Sequence, residues 1–180
     1  LCAPPPLQLP EAIRLAAQTC RALIHAHAHG ILHRDVNPRN VWLMRDGTVK
    51  LGDFGLALSL DRTELTDEDL RAGTAAYIAP EQAAGRVADV GPAVDIYALG
   101  AMLYELLTGR PPFHADTLSK TLHQVLHDEP EPPSRAQPGV PHDLETICLQ
   151  CLEKDAKARY ASAGDLAADL TRFVEGRPVL

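Results

Sequence analysis

Apolar residues recur at helical spacing toward both ends of the chain and cluster into short extended runs between them. Ile13, Ala17, Cys20, Ile24 and His27 mark one face of a helix predicted over residues 11–29. Pro10 precedes it, Glu11 suits its first turn, and Gly30 can close it. Residues 41–44 and 49–51 are short apolar runs joined by Arg45-Asp46-Gly47-Thr48, and Asp-Gly in that place predicts a β-hairpin. The polar stretch over residues 59–73 carries no sustained face. From residue 93 the pattern is helical again. The helix over about 93–108 is apolar almost all round, so it belongs in the middle of the fold, and Gly109 with Pro111-Pro112 ends it. A second helix carries Leu118, Leu122, Val125 and Leu126. A third, over residues 142–153, carries Leu144, Ile147, Cys148, Cys151 and Leu152. A fourth carries Ala163, Leu166, Ala167, Leu170, Phe173 and Val174. The fold class expected is mainly α with a small β-hairpin region.

Composition narrows the possibilities. The chain has 180 residues, 46% hydrophobic and 23% charged, as expected for one soluble globular domain. A net charge of -7 excludes the basic surface that a nucleic-acid binder needs. No run of about 18 apolar residues occurs, so no membrane span is expected; the most apolar stretch, residues 93–107, is broken by Asp95 and Glu105. The first residues have neither a basic region nor an apolar signal core, and no initiator Met, which fits a piece of something longer. Residues 1–10 read as a Pro-rich lead-in and 177–180 as a tail.

Several residue groups have a plain reading beside a chemical one. Cys148 and Cys151 form a C-x-x-C, but they lie on the apolar face of the third bundle helix and no second pair completes a four-ligand zinc site, so core packing is the stronger reading. Pro130 with Pro133, and Pro138 with Pro141, match P-x-x-P, a ligand pattern for proline-reading domains; the plainer reading is a stiff loop between helices. His25 and His29 stand four apart and could share a metal ion, against the plainer reading of two solvent-facing histidines.

The chemistry is concentrated in two phrases. His33-Arg34-Asp35-Val36-Asn37-Pro38-Arg39-Asn40 is followed by Asp53-Phe54-Gly55, and Ala79-Pro80-Glu81 comes later. Together the first two resemble the catalytic loop and metal-binding motif of the protein kinase family. They fix seven positions, a chance match of about 10⁻⁹ per placement. The resemblance covers about residues 11–176 and is closest to the C-terminal lobe of bacterial eukaryotic-like serine/threonine kinases, a family also signalled by Tyr104-Glu-Leu-Leu-Thr-Gly-Arg-Pro-Pro-Phe113. It implies a catalytic loop at 33–40, an activation segment at 53–81 and a helical bundle at 93–176.

The resemblance also implies roles. Asp35 would orient and deprotonate a substrate hydroxyl, and Asn40 and Asp53 would hold Mg²⁺ on ATP. Arg34 would meet a phosphorylated activation loop, for which Thr63, Thr66 and Ser59 are candidate acceptors. Thr74 would belong to the substrate-docking segment of a serine/threonine kinase. His33, Phe54, Gly55, Glu81, Asp95 and Arg159 would form the framework, Glu81 pairing with Arg159 and Asp95 binding amides of the catalytic loop. The partner implied is a protein substrate, with no nucleic acid, and the location cytoplasmic, either free or as the cytoplasmic part of a membrane protein.

Two departures stand out. Position 37 is Asn where such kinases usually carry a lysine that steadies the transferring phosphate, a loss worth roughly 10²–10³ in rate. The glycine-rich loop, strand lysine and partner glutamate of the ATP-binding lobe have no counterpart: the only glycine before the catalytic loop is Gly30, and no lysine precedes Lys50. The expectation is therefore a catalytic lobe of little activity by itself, with an N-terminal lobe encoded upstream. The alternative is a non-catalytic, kinase-like protein-binding module.

Overall fold

Local chain chemistry accounts for most element boundaries. A computed structural model describes residues 7–54 and 74–179; Gly55, Ser59, Thr63, Thr66, Cys2 and the first six residues of the lead-in lie outside the described residues. The first helix, α1, spans Leu9–Ala28. It starts earlier than the sequence pattern predicts because Pro10 sits inside its first turn, where a missing N–H leaves nothing unpaired. It ends in a left-handed glycine: Gly30 has φ 71°, and the Gly30 and Ile31 amides donate to the carbonyls of His27 and Ala26. Strands β1 (Val41–Leu43) and β2 (Val49–Leu51) pair antiparallel in the register Val41↔Leu51, Trp42↔Lys50, Leu43↔Val49. Gly47, with φ 81°, makes the turn, and Asp46 Oδ1 accepts the Thr48 amide at 2.9 Å.

Among the described residues the remaining helices are α2 (Pro80–Ala83), α3 (Pro92–Thr108), α4 (Leu118–His127), α5 (Pro133–Ala136), α6 (His142–Cys151) and α7 (Ala163–Val174). Single 3₁₀ turns cover Thr74–Tyr77, Val87–Asp89 and Ala156–Ala158. Thr117 and Ser162 cap α4 and α7 by accepting the amides of Lys120 and Asp165. Gly109, with φ 78°, terminates α3. The two-stranded sheet and the helical majority match the expected class. None of these helices is long and apolar enough to cross a membrane.

Helix α3 runs through the centre, buried from Val94 to Tyr104 and again at Leu107. It packs against α1 and α6, while α1 also packs on α7 and β2. At Gly100 the crossing with α6 is so close that a methyl group would overlap the Cys151 side chain. Cys148 and Cys151 are fully buried on that helix face, and the Cys148 thiol lies 3.6 Å from the Gly100 carbonyl. Burial pushes both thiols well above their ordinary range and Cys20 up to about 12. These are packing residues.

Three sequence expectations need correction. Ile24 and Val174 are exposed, because α1 turns Ala16, Cys20 and Leu23 inward and α7 buries Leu166, Asp169 and Leu170 instead. On α4 the buried positions are Thr121 and Val125, and Leu118, Leu122 and Leu126 are only partly covered. The Pro-rich loop contains the turn of helix α5, whose Pro133 is buried. A buried proline in a helical turn cannot serve an extended P-x-x-P reading.

Candidate active site

The candidate site is built from the loop after α1, the β-hairpin and the first turn of α3. Asp95 is fully buried in that turn, where a lone carboxylate would be severely destabilised. It has three donors. Its Oδ1 accepts the Arg34 amide at 2.7 Å, and its Oδ2 accepts the His33 amide at 2.9 Å and meets His27 Nε2 at 2.7 Å. The carboxylate thereby fixes the backbone immediately before Asp35. Arg34 sits at φ 67°, a left-handed conformation costly for a side-chain-bearing residue, and its carbonyl accepts Gln82 Nε2 from α2. The two bonds, one on each side of the residue, hold that strained geometry.

His33 links this loop to the hairpin. Its Nε2 bonds the Gly52 carbonyl at 2.8 Å while its Nδ1 accepts the Asp35 amide at 3.2 Å, so the tautomer both bonds require carries its proton on Nε2. Its ring also rests 4.5 Å from that of Phe54. Gly52 in turn donates its amide to the Asn40 carbonyl at 2.9 Å. The residue between Gly52 and Phe54, Asp53, is exposed and left-handed at φ 57°.

Asp35 receives two side-chain amides. Asn37 Nδ2 donates to its Oδ1 at 2.9 Å and its carbonyl at 3.1 Å. Asn40 Nδ2 donates to its Oδ2 at 2.9 Å and its carbonyl at 2.8 Å. Asn37 Oδ1 accepts the Arg39 amide at 3.0 Å, so this nearly buried side chain is engaged at both ends. Asn40 commits its nitrogen to Asp35 and keeps its amide oxygen as an acceptor. Together with the exposed Asp53 carboxylate, that is a hard, oxygen-only donor pair, the chemistry that suits Mg²⁺.

Glu81 and Arg159 meet in a buried, two-pronged ion pair, both bonds 2.8 Å. Arg159 also donates to the carbonyls of Glu153 and Ala93 and covers the Tyr97 ring. These extra bonds matter, because a buried charge pair offsets its desolvation only when its remaining donors are used. Thr74, half-buried, opens the turn that ends at Tyr77. The Tyr77 hydroxyl donates to the Glu105 carboxylate of α3, and burial followed by that carboxylate pushes the phenol far above its ordinary range. The roles of Gln82, Gly52 and Tyr77 are not visible in the motif phrases, since each acts through one bond to a distant backbone or side chain.

Comparisons with known proteins bear on the family. The model of the protein kinase domain matches residues 5–169. The chain belongs to the protein kinase family. It is 40% identical over 174 residues to the serine/threonine-protein kinase PknB of Mycobacterium leprae and to that of Mycolicibacterium smegmatis, covering 96% of this chain and 28% of each relative. It is 40% identical over 157 residues to a probable serine/threonine-protein kinase PknB of Bifidobacterium longum, covering 86% of this chain and 22% of that relative. The chain thus spans about a quarter of the length of the curated relatives it matches. Its family works with ATP and Mg²⁺ on protein hydroxyls.

Proposed function

We propose that this chain is the catalytic C-terminal lobe of a serine/threonine protein kinase, spanning residues 11–176. The observation that carries the proposal is Asp35: an aspartate on a loop braced by a buried carboxylate, aimed by two asparagine amides, one of which keeps an oxygen for a cation. Asp35 orients a serine or threonine hydroxyl of a protein substrate and takes its proton. Asn40 and Asp53 would hold Mg²⁺; the bound Mg²⁺-ATP supplies the phosphoryl group and neutralises its charge. Arg34 has a buried Nε with no partner among the described residues, which supports a role in meeting a phosphorylated Thr63 or Thr66. Thr74 would present the substrate segment.

The ATP-binding half is proposed to come from an N-terminal lobe outside these 180 residues, in the cytoplasm. Exposed apolar side chains support it: Ile31 at the end of α1 and Trp42, Leu43 and Met44 along and just after β1 are each at least two-fifths exposed. A second reading, a non-catalytic protein-binding module, draws on Asn37, whose amide is spent within the loop and brings no positive charge to a phosphate.

The test is phosphoryl transfer from labelled ATP to a generic protein acceptor. Background transfer is expected from the chain alone. Substantial transfer is expected once an ATP-binding lobe from a bacterial relative is fused ahead of it, lost again in Asp35→Ala. A fusion that binds Mg²⁺-ATP yet transfers nothing would favour the binding module, as would a Mg²⁺-ATP thermal shift that Asp53→Ala leaves unchanged.

A further inference from the structure

The proposed reaction leaves the exposed histidines of α1 unused. His25 and His29 stand one turn apart on its last turns, both exposed, with ring centres 4.5 Å apart and planes tilted by 47°. Two imidazole nitrogens on one metal ion, each about 2.0–2.1 Å from it, put their ring centres roughly 4.5 Å apart at a square angle and roughly 5.2 Å apart at a tetrahedral one. The observed separation falls in that range without any helix distortion.

A second observation concerns the tautomer. His29 Nδ1 lies 2.8 Å from the His25 carbonyl, and a carbonyl can only accept, so Nδ1 carries the proton. The lone pair is then on Nε2. A ligating histidine usually has its other nitrogen anchored in this way, which fixes ring orientation and raises its basicity. His29 is also the C-terminal cap of α1, where the carbonyl ends of the helix favour a cation.

We infer that His25 and His29 form a two-histidine surface site for a divalent transition metal of the zinc class, its other positions filled by water. The same turn carries His27, whose Nε2 bonds Asp95, the carboxylate that holds the loop before Asp35. Metal binding would therefore stiffen the helix end that braces that loop. A second pair, His123 and His127 on α4, has ring centres 4.8 Å apart but no comparable carbonyl anchor among the described residues, and serves as the internal comparison.

The experiment is a titration of the 180-residue chain with Zn²⁺, followed by calorimetry and by the histidine Cε1–H resonances. Binding is expected at His25 and His29. Either His25→Gln or His29→Gln should weaken it by about tenfold or more, because one imidazole alone loses the second, intramolecular contact. The double variant His123→Gln/His127→Gln should leave that binding step in place. All these side chains are exposed, so circular dichroism of each variant should match the parent. No Zn²⁺ binding, or binding that persists in both α1 variants and disappears with the α4 pair, would overturn the site. Neither result bears on phosphoryl transfer.

Discussion

The two faces of the loop around Asp35 are built on opposite principles. Toward the helical bundle, the buried charges are matched at two points: Asp95 has three donors, and Arg159 has Glu81 and three carbonyls. Toward the hairpin, Trp42, Leu43 and Met44 stand in the open. The bundle side holds the loop backbone by contacts within the chain, whereas the hairpin side presents exposed apolar area. The contrast separates what the chain holds by its own contacts, the loop around Asp35, from an apolar surface that, on the proposed function, an ATP-binding lobe would cover.

The largest effects should come from breaking the matched side. Asp95→Ala leaves two backbone amides and His27 facing a void and should cost about 3–5 kcal/mol in urea unfolding. Glu81→Ala, stranding the Arg159 guanidinium, belongs in the same range of about 3–5 kcal/mol. If either substitution costs less than about 1 kcal/mol, the brace is not structural. Gly100→Ala comes next, since its methyl would overlap Cys151; overpacking of this kind costs about 1–3 kcal/mol, read from the same unfolding curves.

The open side should behave differently. Leu43→Ser, at a half-exposed position on β1, should change stability by no more than about 0.5 kcal/mol. It should nevertheless reduce self-association in sedimentation measurements if the hairpin face is a sticky, uncovered surface.

A separate effect is a pH dependence. The Lys154 ammonium donates to the carbonyls of Gln124 and Val125 and lies over the Phe113 ring, and burial lowers its pKa to about 8. The folded state therefore loses this proton at lower pH than the unfolded chain does. Across the window from about 8 up to the ordinary lysine value the unfolded chain binds more protons, so this group makes stability rise with pH. Lys154→Met should remove that rise, seen as a flat difference between parent and variant below pH 8 and a divergence above it.

Much of this was legible in the sequence. The resemblance of the motif phrases to the protein kinase family picked out Asp35, Asn40 and Asp53, and it implied the pairing of Glu81 with Arg159. Helix α3 was legible because it is apolar on every side. The facing of α1, α4 and α7 was not: Ile24 and Val174 fit a helical stripe as well as any buried residue, and only the neighbours around each helix decide which part of a wide stripe is covered. The engagement of Asn37 with Asp35 was also hidden, since the sequence shows a missing lysine and not what its replacement touches.

The central claim is that the bundle side of this loop is locked within the chain itself. Amide hydrogen exchange of His33 and Arg34 tests it most directly. Both amides end on the buried Asp95 carboxylate, so they should exchange only through near-global unfolding, far more slowly than the exposed turn after β1, and Asp95→Asn should release them. Exchange of His33 and Arg34 as fast as that turn in the parent protein would contradict the account.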